Sequence, residues 1–365
     1  MNRIHRIIWS QVRRAWVVAH EHAKSHGKSS SLVRRIRHGR AATLTTATLL
    51  SAVLAAPPLL ANPLNPEVVH GTAAFSQNGN SLTITNSDKA IINWQAFSIN
   101  PQESTRFNQP NAQSSVLNRV LGSDPSRLLG QLQSNGKVFL VNPAGIVVGE
   151  GAKIDVGGLV ASTLNISDAD YLANRLHFVA AEHAQGVVNQ GQISTTSGGT
   201  VVLTGTEVSN KGVITTPDGQ TILAAGATVQ IEELGAPGVK IEITGDTQQA
   251  TNLGEITATA GTIGVVGALV KNSGKISASS VERKGGRILL RGSKRVELSD
   301  SSKISADGTT GGEVIAISSD QGKISGEISV NGEISARGDG SEGSGGFVET
   351  SGGRVKIGDK TQIKS

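Results

Sequence analysis

Apolar residues in this 365-residue chain come in short runs, each stopped by glycine, asparagine or proline. Val138-Phe139-Leu140-Val141 stops at Asn142-Pro143-Ala144-Gly145, and Ile146-Val147-Val148 stops at Gly149-Glu150-Gly151. Ile154, Val156 and Leu159-Val160 follow, with Gly157-Gly158 between them. β-Branched runs bounded in this way read as strands joined by tight turns. Asn-Pro opens a turn, and Gly145 can take the positive φ that other residues resist. Ser81 to Thr85 alternates apolar and polar as a half-buried strand does. Ile91 to Phe97 and Ser114 to Val120 predict further strands, and Asp168 to Arg175 a short helix in a loop. Strands this short cannot form a sheet alone; they must stack on copies of themselves.

The copies are present. NQGQIS at 189–194, NKGVIT at 210–215, NLGEIT at 252–257 and NSGKIS at 272–277 share one pattern, their leading asparagines 21, 42 and 20 residues apart. The unit is therefore about 20–21 residues, skipped once, with GGTVVLTG, GQTILAAG, GTIGVVG, GGRILLRG and GGEVIAIS keeping the beat between. A leucine-rich repeat of that period would need a leucine ladder and a helical half, and the sequence offers neither. A parallel β-helix fits, each coil burying two or three short strands and turning at Gly, Asn and Asp. The expected fold class is thus all-β, a solenoid of some fourteen coils. At about 4.8 Å per coil that is a rod on the order of 70 Å. Inward Ile and Val should stack into ladders, and the asparagines should join side-chain amides from coil to coil.

Composition divides the chain. Aromatics are only 3%, and seven of the eight that follow residue 61 lie between Phe75 and Phe178. That predicts a capped, better-packed first portion over 62–180 and a repetitive continuation over 181–365. The net charge of +5 misleads. Residues 1–40 hold ten Lys/Arg against Glu21 alone, so the remainder has 34 − 10 = 24 basic and 29 − 1 = 28 acidic residues, a balance of −4. The body is weakly acidic, and nothing in its composition argues for nucleic acid as a partner.

The first 61 residues read as targeting. Arg34 to Arg40 is a positive segment, Ala41 to Ala56 is uncharged and mostly apolar, and Pro57-Pro58 breaks it. That stretch is short for a transmembrane helix and suits a signal peptide. The favoured cleavage is after Ala61, ahead of Ala55. A second basic and apolar block, Met1 to Lys24, precedes it and as a bare pattern reads as an amphipathic helix on anionic lipid.

Candidate chemistry is sparse. There is no cysteine, hence no disulfide framework or thiolate ligand. The calcium-binding nonapeptide of β-rolls is absent. After the leader the histidines are His70, His177 and His183, without the spacing of a metal set. The glycine-rich tracts lack the Lys-Ser/Thr ending of a phosphate loop. Glu232-Glu233 and Asp246 are the carboxylates one would test for polysaccharide cleavage, but neighbours in a strand point to opposite faces. No enzyme activity, metal or cofactor is expected.

Several segments together carry a resemblance: VVHGTA (68–73), NSDKAIINWQAFSIN (86–100), RFNQPNAQSSVLNRV (106–120), LQSNGKVFLVNPAGI (132–146) and DVGGLVASTLNIS (155–167). They resemble the N-terminal secretion, or haemagglutination-activity, domain of two-partner-secretion exoproteins of Gram-negative bacteria, the family of filamentous haemagglutinin and the high-molecular-weight adhesins. GGFVETSGG (345–353) looks most like the adhesin branch, and the doubled leader resembles that family's extended signal peptide. The resemblance implies a right-handed β-helix exported by the Sec machinery, then carried across the outer membrane by a barrel with periplasmic transport-associated domains. It implies a secreted or cell-surface adhesin, with host glycans or proteins as targets. The alternatives are the secretion module of a haemolysin or contact-dependent toxin and a polysaccharide-active enzyme. The family's NPNGI motif stands here as Asn142-Pro143-Ala144-Gly145-Ile146, which implies that Asn142, Pro143, Gly145 and Ile146 shape a turn supporting recognition by the transporter. Ala144 replaces the motif's second asparagine and could remove a hydrogen bond. The NPNL motif has no clear match, Asn100-Pro101-Gln102-Glu103 being nearest. Asn118 and Arg119 are the second candidates for recognition.

Overall fold

The computed structural model describes residues 62–232, 240–339 and 344–365, together with the backbone of two strands in the leader, His5–Ser10 and Ala15–His20. Those two strands pair antiparallel, Ile7 opposite Val18 and Trp9 opposite Trp16. The block that reads as an amphipathic helix is therefore a hairpin, and its β-branched and aromatic residues suit cross-strand pairing. The remainder of the leader, Ala61 included, lies outside the described residues. Residues 1–57 and 58–365 are separate compact units.

The second unit is a parallel β-helix of three ladders. The first ladder contains Ser81–Asn86, Ser104–Asn108, residues 131–134 and 153–156, Gln192–Thr195, Val213–Thr215, Glu255–Thr257, Lys275–Ser277, Lys303–Ser305, Glu333–Ser335 and Gln362–Lys364. Its central inward position is Leu82, Thr105, Leu132, Ile154, Ile193, Ile214, Ile256, Ile276, Ile304 and Ile334 through ten successive coils. All ten are buried. Each buried apolar side chain in this row contributes roughly 1.5–3 kcal/mol.

The second ladder runs from Ala90–Ala96 through Ser115–Val120, residues 137–141 and 158–162, Thr200–Gly205 and Gln220–Ala225 to Phe347–Ser351. The third runs from Ser126–Leu128 and Ile146–Val148 to Arg354–Ile357. In the third ladder the repeated asparagines meet as the period predicts. Asn189 Nδ2 donates to Asn210 Oδ1, Asn210 Nδ2 to Asn252 Oδ1 and Asn252 Nδ2 to Asn272 Oδ1, each at 2.8 Å. Asn272 Nδ2 then donates to Ser302 Oγ at 2.6 Å. Glycines at the corners let coils approach: a Cβ on Gly219 would stand 2.0 Å from the Gly199 carbonyl oxygen.

Ten coils form here, not fourteen, so at about 4.8 Å each the solenoid spans roughly 50 Å. The missing length is in two excursions between the second and third ladders, residues 163–186 and 226–248. They supply Asn165–Ile166, Leu176–Val179, Thr228–Glu232 and Lys240–Thr244, a four-stranded antiparallel sheet. The 42-residue gap between Asn210 and Asn252 is thus one coil with a hairpin inserted, not a skipped coil. This sheet covers the outward row of the second ladder. Phe139, Val160, Val202, Ile222 and Val266 form a second core there with Ile166, Tyr171, Phe178, Val229, Ile231 and Ile241.

At the N-terminal end, Leu64–His70 pairs antiparallel with Ala90–Ala96, and Ala73–Asn78 with Ser81–Asn86. These strands satisfy the otherwise open edge of the first coil, where bare backbone would recruit other chains. Inside, Phe75, Trp94 and Phe97 meet edge to face at 5.7 and 5.5 Å, and Phe97 stacks on Phe107 at 6.5 Å.

Candidate functional site

Asn142 closes the second-ladder strand of the third coil and opens the turn to the third ladder. Its backbone carbonyl accepts from Gly145 N at 3.0 Å, a β-turn that Gly145 completes with φ +120°. Its side chain is fully buried and fully used. Oδ1 accepts from Ala144 N at 3.0 Å, while Nδ2 donates to Asp124 O at 3.0 Å and Ser126 Oγ at 2.9 Å, both one coil back. Pro143 O accepts from Gln185 N at 2.9 Å, tying the turn to the end of the first excursion. Ile146 is buried in the third ladder. Ala144 contributes only its backbone N–H, so alanine in place of the motif's second asparagine costs this turn no hydrogen bond.

Asn118 and Arg119 lie directly beside this turn, paired in register with Leu140 and Val141. Asn118 points inward between Ile92 and Leu140 and is fully buried. Its Oδ1 accepts from Trp94 Nε1 at 2.9 Å and its Nδ2 donates to Phe139 O at 3.1 Å. A buried amide so satisfied orders the core rather than meeting a partner. Arg119 reaches outward and holds the excursion, donating to Ile166 O at 3.0 Å and Asp168 Oδ1 at 2.6 Å.

That ion pair fixes the entrance to the helix Asp168–Leu172. Ser167 caps it, its hydroxyl accepting from Asp170 N at 3.0 Å. The Ser167 hydrogen bond, followed by Arg175, holds the Asp170 carboxyl below the usual carboxylate range. Tyr171 inserts against Phe139 at 5.1 Å with its hydroxyl 2.9 Å from Ser115 Oγ, and burial pushes the phenol up. Lys89 lies 4.8 Å over the Tyr171 ring. Each excursion contact therefore returns to the first three coils.

The remaining candidates do not converge. His177 faces Asp170 at 3.9 Å, and His183 is exposed elsewhere on the excursion. Among the described residues no group of His, Asp and Glu is gathered as a metal set. Glu232 accepts from Gln230 Nε2, Asp246 pairs with Lys294 at 3.1 Å, and Glu233 lies outside the described residues. One structural contributor carries no motif. Asn62 is buried, and its Oδ1 accepts from Thr105 Oγ1 at 3.1 Å, satisfying the polar side chain in the first ladder's inward row. Thr105 standing where the register calls for Ile or Leu is the signal that a partner was needed.

A capped three-ladder β-helix with a motif-bearing turn in its third coil defines a secretion domain, and the comparisons agree. The TPS (two-partner) secretion domain matches residues 63–315, and the extended signal peptide of type V secretion systems matches residues 1–53. The chain belongs to the TPS secretion domain family. The HMW1 secretion domain from Haemophilus influenzae is similar to it at 32% identity and TM-score 0.68, over 83% of this chain and 98% of that one. A heme/hemopexin-binding protein of Haemophilus influenzae is 29% identical over 285 residues, 68% of this chain and 30% of the relative. A second, from strain KW20 / Rd, is 40% identical over 105 residues, 28% of this chain and 12% of the relative. The chain thus spans under a third of the length of these relatives. It is an exoprotein exported by Sec through the periplasm and by an outer-membrane transporter to the cell surface or medium. Its family is a secretion domain, not an enzyme family.

Proposed function

We propose that this protein is a surface adhesin whose 62–180 portion nucleates the β-helix outside the cell, with 181–365 stacking on it coil by coil. Each new coil hydrogen-bonds to the one before, so the first coils carry the nucleation cost and later growth opposes backsliding through the barrel. In this reading the mature chain begins at Asn62, whose buried amide the first ladder needs. Transporter recognition centres on the Asn142–Ile146 turn, with Arg119 beside it. Pro143 and Ala144 are its accessible edge, and Asn142, Gly145 and Ile146 set its shape. Host-surface glycans or proteins are the targets.

The observation that carries this reading is the buried Asn142 amide, whose two donated bonds bind the turn to the preceding coil. Asn142→Ala removes these bonds, and Asn142→Asp replaces the donor with a carboxylate facing the Asp124 carbonyl. With the transporter co-expressed, both variants should lower the ratio of supernatant to periplasmic protein, while Glu232→Ala leaves it unchanged. A normal ratio for both Asn142 variants would remove recognition from this turn. N-terminal sequencing of the secreted material should read from Asn62, and a mature chain that retains Trp16 would refute the cleavage.

A further inference from the structure

The second candidate site is a groove of about 530 Å³ at the corner between the first and second ladders. It exists because two neighbouring coils turn this corner with almost no loop: residues 135–136 in the third coil and Gly157 in the fourth. The corners on either side are longer, residues 109–114 in the second coil and 196–199 in the fifth. Ala112 and Gln113 form one wall, the Thr196–Gly199 corner the other, and Gly158 leaves the floor open.

The lining is polar and regular. Thr200, Gln220 and Thr262 stand in register on three successive coils, so a hydrogen-bonding side chain recurs about every 4.8 Å along the groove. Gln220 is only 6% exposed, and its Oε1 accepts no hydrogen bond. A buried amide oxygen left in that state is costly and calls for a donor. Lys137 lies at the head of the row opposite Gly158, half-buried and, among the described residues, without an ion-pair partner. The cations nearby are engaged: Lys89 donates to Tyr171 O and Asn174 Oδ1, and Arg283 pairs with Asp218.

A single free ammonium with a line of hydroxyl and amide groups suits a linear ligand that carries hydroxyls and a carboxylate. A polyphosphate would call for several clustered cations, and an apolar ligand for more than the exposed edge of Phe139. We infer that this groove binds an acidic oligosaccharide, a chain of pyranoses bearing uronic-acid carboxylates, with one carboxylate at Lys137 and sugar hydroxyls along Thr200, Gln220 and Thr262. The repeat of a pyranose chain is close to the coil spacing, which lets successive sugars meet successive coils. This deepens the adhesin reading and rests on it for biological setting, not for binding.

The test is calorimetric titration of the exported protein, collected from the medium, with trigalacturonic acid and with neutral maltotriose. The acidic trisaccharide should bind more tightly than the neutral one. Lys137→Gln should weaken it about tenfold and Thr200→Val about threefold, while Lys153→Gln, on the outer face of the first ladder, leaves it unchanged. The proposal fails if no heat is seen at ligand concentrations on the order of 10 mM. It also fails if both sugars bind alike, or if Lys137→Gln binds as well as wild type. Cell adherence is scored separately: sugar binding without adherence sinks the adhesin reading alone, and adherence without sugar binding sinks the groove alone.

Discussion

The first three coils and the last three use different means to hold the same geometry. Between Ser81 and Val148 the interior contains Trp94, Phe97 and Phe107, and the buried amides of Asn118 and Asn142 each bond to a different coil. Between Lys275 and Ile357 the interior is Ile, Val, Leu and Ala with almost no specific polar contact. Exposed ion pairs run from coil to coil there instead, such as Lys271–Glu297 and Lys356–Glu327. The early coils accept one register only, because each large or polar side chain has a single matching partner. The late coils would stack almost equally well on any neighbour, so their register must be inherited. A chain that folds as it emerges needs the specific end first, and here it is first.

The contrast can be broken most severely at Trp94. Trp94→Ala should cost about 3–5 kcal/mol through the cavity. It also leaves the Asn118 Oδ1 without its donor, a further penalty of roughly 1–3 kcal/mol. Urea unfolding should show the loss, and secretion should fall with it. Unfolding unchanged in Trp94→Ala would mean that the first coils are not the nucleus. A middle case is Asn210→Ala, which strands Asn189 Nδ2 and an oxygen of Asn252 within the amide ladder. The expected cost is about 1–3 kcal/mol. Hydrogen exchange should speed up in the coils around it while the Trp94 region stays protected; uniform acceleration would show the two regions to be one cooperative unit.

The smallest effect is electrostatic. Glu327 is held below the ordinary glutamate range first by its hydrogen bond from Lys356 and then by the charges of Lys356, Arg295 and Arg354. Glu333 is held down likewise, first by the bond from Lys364. A carboxylate with a lowered folded-state pKa stabilises above its unfolded value, and that contribution is lost as pH falls through the folded value. Both groups are exposed and screened, so the effect is slight. Thermal melts should be flat from neutral pH down to about 5 and decline modestly below about 4.3. A decline beginning near pH 6 would point to histidine rather than to these pairs.

Much of the architecture was legible along the chain because it is local. The beat of N-x-G-x-Ile, the Gly-Gly corners and the alternating strands each depend on residues within one coil. Stacking identical coils then aligns Ile over Ile and Asn over Asn without further instruction, so the isoleucine row and the amide ladder were both expected. What the tertiary structure decided is where the repeat is interrupted and what its exceptions touch. Residues 165–179 and 228–244 pair across roughly fifty positions of intervening chain, which no local pattern encodes. A trace was present: Val201-Val202-Leu203 and Ile222-Leu223-Ala224 are continuous apolar runs, the mark of strands buried on both faces. The roles of Asn118 and Arg119 were hidden for the same reason. Their partners, Trp94 and Asp168, are 24 and 49 residues away. Periodicity determines which residues share a row, but an outward apolar row or a buried amide acquires its meaning only when a distant segment folds back to cover it.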